Sequence, residues 1–240
     1  MGNAHVSNAG LRAIYSTRIE LFDAGVVRAN LPRTVTVLEA TMWRLFDIIT
    51  AVVILGFMLP FMTALAAAIY LVDPGPILYR HRRIGHQGRY FHCLKFRTMR
   101  VDSDAVLEVH LRSSVMAKME WEATRKLRND PRVTRLGAVL RKLSLDEFPQ
   151  LINVIRGEMS IVGPRPIVEQ EVQKYGACFE HYCRVRPSLT GVWQTSGRSD
   201  ESYDRRITMD VSYVMRKSVL FDVWLLAKTV PVVLLSKGAY

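Results

Sequence analysis

Two adjacent carboxylates follow two cations in the run Arg141-Lys142-Leu143-Ser144-Leu145-Asp146-Glu147-Phe148-Pro149-Gln150-Leu151. Near a helix N-terminus, acids are favoured by the free N–H groups and the dipole. The same end can hold a phosphate. A hard cation such as Mg²⁺ takes oxygen ligands, usually one or two carboxylates plus substrate phosphates. Asp146 and Glu147 are therefore candidates for catalysis and for Mg²⁺ binding. A structural alternative stands beside this. Ser144-x-x-Glu147 reads as a capping box, with Asp146 an ordinary first-turn acid. Pro149 weakens that alternative, because it falls where an intrahelical N–H is already needed.

Three further runs carry cations in positions suited to phosphate. Arg165 stands between Pro164 and Pro166, which fix the backbone around a guanidinium able to contact phosphate in bidentate fashion. Arg184 to Arg198 mixes Arg186 and Arg198 with Trp193, Gln194 and glycines, a composition fit for a nucleotide or sugar but shared by many loops. Strand alternation predicts that Lys95 and Arg97 share one face, near Thr98 and Met99. Each run also reads as a solvated turn or face. No Walker A sequence, no G-x-G-x-x-G and no histidine cluster with metal-ligand spacing occurs.

These residues belong to a chain of 240 residues with a net charge of +11 and 49% apolar residues. That length allows one or two domains with a sizeable core, and the composition excludes wholesale disorder. Cys93, Cys178 and Cys183 make no C-x-x-C, which excludes a disulfide scaffold and a zinc ribbon. A mean hydropathy of +0.08 is high for so basic a chain. Apolar and cationic residues must therefore be segregated, as in a membrane-associated protein.

The segregation is visible. Ile48 to Val72 contains no charged residue, and Asp47 and Asp73 bound it. A helix of this length spans about 37 Å, enough to cross a bilayer with tilt. Pro60 sits at the midpoint, with Gly56 four residues earlier, and a proline there kinks a helix. Each half would reach only the bilayer middle, so the segment either crosses or re-enters. Residues 73–240 hold 28 Lys and Arg against 18 Asp and Glu, so nearly all the excess charge follows the membrane segment. Such a domain is drawn to anionic lipid and polyanionic substrates, and Arg-rich flanks place it in the cytoplasm.

The elements that must position the candidate residues are short. Ile77–Tyr79 and Tyr90–Phe96 read as a hairpin across residues 85–88. Residues 104–128 look helical, and Leu136–Leu143 is a short helix. Leu145–Ile155 reads as a continuing amphipathic helix ended by Gly157. Met159–Pro166 reads as a proline-punctuated loop. Val219–Leu235 is interrupted by Asp222, Lys228 and Pro231, so it reads as an amphipathic helix rather than a second span. The predicted fold class is α+β and mostly helical. Its parts are a variable leader (1–41), a membrane helix-hairpin (42–73) and a catalytic domain (74–240).

Taken in order, these runs resemble the bacterial sugar transferase family, the monotopic phosphoglycosyl transferases. The similarity rests on the proline-broken membrane segment, KFRTM (Lys95–Met99), DPRVTRLG (Asp130–Gly137), RKLSLDEFPQL, NVIRGEMSIVGPRP (Asn153–Pro166) and RPSLTGVWQTSGR (Arg186–Arg198). It covers about residues 42–240, including the closing Lys237-Gly238-Ala239-Tyr240. The closest likeness is to small exopolysaccharide-priming galactosyl- or glucosyl-phosphate transferases. Phe148 stands where the family usually has Leu, and Ser188 where Gly is common.

The resemblance implies a reaction. A sugar-1-phosphate passes from a UDP-sugar to polyprenyl (undecaprenyl) phosphate, releasing UMP through a phospho-sugar on Asp146. Mg²⁺ is the implied cofactor, and Glu147 would bind it or act as base. Arg141 and Arg165 would hold phosphate, with Lys95, Arg97, Arg186 and Arg198 as further candidates. Pro60 would break the membrane helix into a re-entrant hairpin on the cytoplasmic face of the inner membrane. Interfacial helices would support the site, and the amphipathic surfaces could support a homodimer. An N-acetylhexosamine or deoxysugar substrate is the nearest alternative. A basic membrane-anchored nucleic-acid-binding protein is another, although no groove-reading helix or aromatic platform is visible, so nucleic acid is not the expected partner. An inert scaffold is a third, against which both carboxylates speak.

Overall fold

A computed structural model describes residues 36–196 and 202–234. Residues 1–35, Arg198 and the closing Lys237-Gly238-Ala239-Tyr240 lie outside the described residues.

The apolar run is the body of helix α1, Val37–Val72, which begins five residues before the expected boundary. A capping box starts it: Glu39 N–H donates to Thr36 Oγ1 at 3.2 Å, and Thr36 N–H donates to Glu39 Oε2 at 3.0 Å. The helix is a single element across Pro60. It is long and apolar enough to cross a membrane. Its middle carries Val53 and Phe57, exposed by 65% and 78%, a surface that water would disfavour and lipid would not. Two stretches of α1 nonetheless bury themselves on the remaining chain. Ala51 packs with Leu151, Val154 and Ile161, and Met62 and Ile69 pack with Phe96 and Leu140.

The hairpin appears as expected, with strand β1 lengthened to Leu78–Ile84 and paired antiparallel to β2, Tyr90–Phe96. Tyr79, His81 and Arg83 stand opposite Lys95, Cys93 and Phe91. Directly paired residues project from the same side of a sheet. Two helices follow, α2 (Ser103–Ser113) and α3 (Val115–Thr124).

Helix α4, Arg135–Lys142, shows why DPRVTRLG follows KFRTM. Thr134 N–H donates to Thr98 O at 3.1 Å, and its hydroxyl accepts from Gly137 N–H at 2.9 Å. A Cβ on Gly137 would lie 2.0 Å from Thr98 O, so only glycine permits this approach.

Asp146 and Glu147 do not begin the long helix expected over Leu145–Ile155. They occupy a single 3₁₀ turn, Leu145–Glu147, and helix α5 starts only at Gln150 and ends at Arg156. Pro149 sets that boundary, because its ring cannot enter a helix interior. The capping-box reading of Ser144 is also corrected. Ser144 adopts φ +56° and makes no capping bond, and the Glu147 side chain goes elsewhere. Gly157, at φ +84°, ends α5 as expected.

Asn153 fastens α5 to the hairpin. It accepts from Leu94 N–H at 2.9 Å and donates to His92 O at 2.8 Å. After α5, the expected loop contains strand β3, Ser160–Val162. It pairs in parallel with β4, Ser188–Thr190. Between them lie α6 (Glu169–Tyr175) and α7 (Phe179–Cys183). Three-residue strands give no periodicity to read. Asp47 of α1 completes this region, accepting from Ser160 Oγ at 2.8 Å and Ile161 N–H at 2.9 Å.

The chain closes with α8 (Val192–Ser196), α9 (Tyr203–Arg216) and α10 (Val219–Leu234). Leu225 is fully buried, while Leu220 and Trp224 are exposed, so α10 is two-sided as expected. The sequence-derived class, α+β and mostly helical, holds.

Candidate active site

Lys95, near the end of β2, reaches across to the 3₁₀ turn. Its Nζ lies 2.7 Å from Glu147 Oε1 and 3.8 Å from Asp146 Oδ2. Arg165 meets the same Glu147 oxygen at 3.1 Å. Burial opposes ionisation of Glu147, but Arg165 and Lys95 outweigh it and hold the carboxyl down at about 2.

Asp146 differs from its neighbour. Among the described residues it has only the long ion pair with Lys95, and no hydrogen bond reaches its carboxylate. It is 92% removed from solvent, being 8% exposed. Burial pushes its pKa up, Lys95 pulls it down, and the Glu147 charge pushes it up again. Its lone pairs are therefore unshared, while those of one Glu147 oxygen are committed to two cations.

Arg141, at the end of α4, is held by its Nε donating to Thr98 Oγ1 at 2.8 Å. Burial lowers its pKa, and the charges of Asp146 and Asp130 oppose that shift. Arg165 is fixed through its prolines. Pro164 O accepts from Ser188 N–H at 2.7 Å, and Pro166 O accepts from Arg83 at 3.2 Å. Gly163 N–H donates to Thr190 O at 2.9 Å. The parallel β3–β4 pair thus fixes the backbone that leads into Arg165.

A small cleft, open to solvent, lies beside these groups. Arg83, Cys93, Lys95, Glu147, Gln150 and Arg165 line it, and Asp146 lies next to it. Burial raises the pKa of Cys93 to about 11, which keeps the thiol protonated. The sequence reading gave no chemical role to Arg83, His81, Thr98 or Gln150. The signal for Arg83 and His81 was there, since β1 alternation places them on the side of Lys95.

Two expected phosphate ligands are elsewhere. The strand stops at Phe96, so alternation no longer holds Arg97 beside Lys95. Arg97 instead donates to Asp73 O at the end of α1 and pairs with Asp73 Oδ2 at 3.5 Å. Arg186 donates to Gly157 O at 2.8 Å, at the C-terminal end of α5. Arg44 donates to Val154 O and Ile155 O there. Both guanidiniums satisfy open carbonyls of a helix end. Arg198 lies outside the described residues.

No cluster of three or more Asp, Glu, His or Cys ligands occurs among the described residues. Two adjacent carboxylates, one with unshared oxygens, fit Mg²⁺ when substrate phosphates complete its shell. Three cations (Lys95, Arg141 and Arg165) surround two carboxylates, an excess suited to an anionic ligand, while the charge of Arg83 is met by Glu171.

The description of the bacterial sugar transferase family matches residues 38–236. The exopolysaccharide production protein ExoY of Rhizobium meliloti (strain 1021) is 53% identical over 197 residues, covering 82% of this chain and 87% of that protein. The UDP-galactose-lipid carrier transferase of Erwinia amylovora is 48% identical over 199 residues, covering 82% of this chain and 41% of that protein. The undecaprenyl-phosphate galactose phosphotransferase of Salmonella typhimurium is 45% identical over 197 residues, with coverages of 82% and 41%.

Proposed function

The chain belongs to the bacterial sugar transferase family, and from that premise we propose that Asp146 transfers a sugar-1-phosphate from a UDP-sugar to polyprenyl phosphate. At the coarser level, the chain is a phosphoglycosyl transferase of exopolysaccharide synthesis that acts on a lipid carrier at a membrane.

The observation that carries the finer reading is the division between neighbours. Glu147 is locked to Lys95 and Arg165, while Asp146 keeps an unshared carboxylate. In the first half-reaction an Asp146 oxygen attacks the phosphorus next to the sugar. An O–P bond forms, the bond to the bridging oxygen breaks, and UMP leaves with that electron pair. In the second, a phosphate oxygen of the polyprenyl carrier attacks the same phosphorus and displaces the Asp146 carboxylate. Polyprenyl diphosphate sugar is released and Asp146 is regenerated. Ping-pong kinetics follow.

A carboxylate approaching a diphosphate is repelled by it. Lys95, Arg141 and Arg165 offset that charge and stabilise the phosphoryl group in transit. Mg²⁺, held by Asp146, Glu147 and the substrate phosphates, would add further neutralisation. Names of relatives support galactose as the sugar, with glucose next.

Both substrates must meet at the headgroup level. Contacts of Arg44 and Asp47 before Pro60, and of Ile69 and the C-cap residue Asp73 after it, with the same domain support a re-entrant rather than a crossing helix, although α1 runs unbroken across Pro60. A helix that crossed would carry one of these parts to the far side. We place the domain on the cytoplasmic face of the inner membrane, where nucleotide sugars are made. The exposed faces of α1 and α10 leave room for a homodimer.

The test is UMP release from a panel of UDP-sugars with Mg²⁺ and undecaprenyl phosphate. Wild type should release UMP with one sugar and Asp146→Asn should not. Equal release by both proteins would reject Asp146 as nucleophile. No release with any sugar from folded protein would reject the reading on this panel.

A further inference from the structure

Arg83 has no part in the sequence motifs that led to the site, yet it lines the same cleft as Lys95, Glu147 and Arg165. It projects from β1 on the side of the hairpin that carries Lys95. Its side chain is 15% exposed and meets the Pro166 turn, α6 and His81 of its own strand. Nη1 donates to Pro166 O at 3.2 Å, and the same nitrogen lies 3.7 Å from Glu171 Oε2. Nη2 lies 3.2 Å from His81 Nδ1. Glu171 in turn accepts from Val168 N–H at 2.9 Å at the start of α6. The next residue along, Ile84, bridges Ile167 with its N–H donating to Ile167 O at 3.0 Å.

We propose that Arg83 is the positioning residue of Arg165. Resting on the phosphoglycosyl transfer reading, it sets the Pro-Arg-Pro turn so that the Arg165 guanidinium faces Glu147 and the diphosphate of the nucleotide sugar. The argument is one of constraint. Arg165 itself is 42% exposed, and its only partner among the described residues is Glu147. Its direction therefore depends on the backbone of the turn. Ser188 and Thr190 pin that backbone before Arg165, at Pro164 and Gly163. After Arg165, Arg83 is the side chain that holds Pro166, and no N–H is available on a proline to do so. Lysine at this position could still donate to Pro166 O, but it could not reach His81 and Glu171 at once. His81 is suited to accept, because burial and then Arg83 itself lower its pKa to about 4 and leave the imidazole neutral.

A double-mutant cycle tests this, read by kcat and KM in full-length protein and by calorimetric binding of UDP, which needs no turnover. Arg83→Met should weaken UDP binding and kcat/KM by about 30-fold, the scale of a charged hydrogen bond. Arg83→Lys should recover part of that loss. In an Arg165→Met background, Arg83→Met should cost less than about threefold more, because its route of action is gone. Unfolding midpoints keep misfolding apart from misplacement. Independent losses that multiply, or an Arg83→Met protein that binds UDP as wild type does, would overturn the proposal. Wild-type UDP binding without turnover would reject the transfer reading while the binding cycle still decides the role of Arg83. Wild-type protein that binds no UDP would reject both.

Discussion

Lys95 and Glu147 are 52 residues apart in sequence and 2.7 Å apart in space. That contact brings the end of the hairpin onto the carboxylate turn. It also separates the two acids, since Lys95 is 3.8 Å from Asp146. One carboxylate becomes a fixed counter-charge and the other stays available.

The two acids should therefore fail differently when neutralised. Asp146→Asn should lose at least about 10³-fold in kcat and form no phospho-sugar adduct, as expected for a removed nucleophile. Glu147→Gln should still form the adduct, more slowly, because Asp146 remains. Intact-protein mass spectrometry after exposure to a UDP-sugar without lipid acceptor separates the cases. An adduct on the Asp146→Asn protein would reject the assignment.

Thr98 and Gly137 should be distinguishable supports. Thr98→Val removes the acceptor of Arg141 Nε at 2.8 Å but leaves the backbone contacts, so KM should rise about tenfold with the fold intact. Gly137→Ala drives a methyl to 2.0 Å from Thr98 O, so the fold itself should lose more than about 2 kcal/mol. Thermal unfolding beside steady-state kinetics reads both.

Asp47 should matter through its acceptor atom, not its charge. Asp47→Ala leaves Ser160 Oγ and Ile161 N–H buried without a partner, at about 1–3 kcal/mol each. Asp47→Asn keeps an acceptor oxygen and should lie closer to wild type. Equal unfolding midpoints for Asp47→Ala and wild type in detergent would contradict this.

Stability should fall as pH rises through a buried pair that does not line the cleft. Asp210, 3% exposed, accepts from the Tyr175 hydroxyl at 2.7 Å. Burial raises its pKa to about 7, against an opposing pull from Tyr175. The folded state therefore holds a proton that the unfolded chain has released, so stability declines between about pH 4 and 7. The decline from this group is at most on the order of 4 kcal/mol. Asp210→Asn should flatten that part of the curve and unfold later than wild type at pH 8. An unchanged slope would place the titration elsewhere.

A cysteine introduced at Val37, 85% exposed at the start of α1, should resist a membrane-impermeant maleimide applied outside intact cells. It should react once the cytoplasmic face is opened. External labelling would replace the re-entrant helix with a crossing one.

The sequence by itself determined the elements whose signals are local. The 25-residue uncharged run read as a membrane-seeking helix, because a soluble core helix rarely runs that long without a charge. Two strand-like runs on either side of the glycine-bearing residues 85–88 specified a hairpin, and Gly157 specified a helix end. Asp146 and Arg165 were singled out by the ordered set of motifs that resembles a family, since each run alone also read as a cap or a solvated turn. Tertiary structure decided everything that needed two distant segments at once. Whether Glu147 caps a helix or binds Lys95 depends on where β2 ends relative to the turn. Whether Arg97 and Arg186 serve a phosphate or a carbonyl depends on which open acceptor packing brings nearest, Asp73 for one and Gly157 for the other. The three-residue strands that fix the backbone leading into Arg165 carry no pattern of their own, and only their parallel pairing makes them strands. A side chain's type is written locally, but its partner is set by long-range packing, which no short spacing encodes.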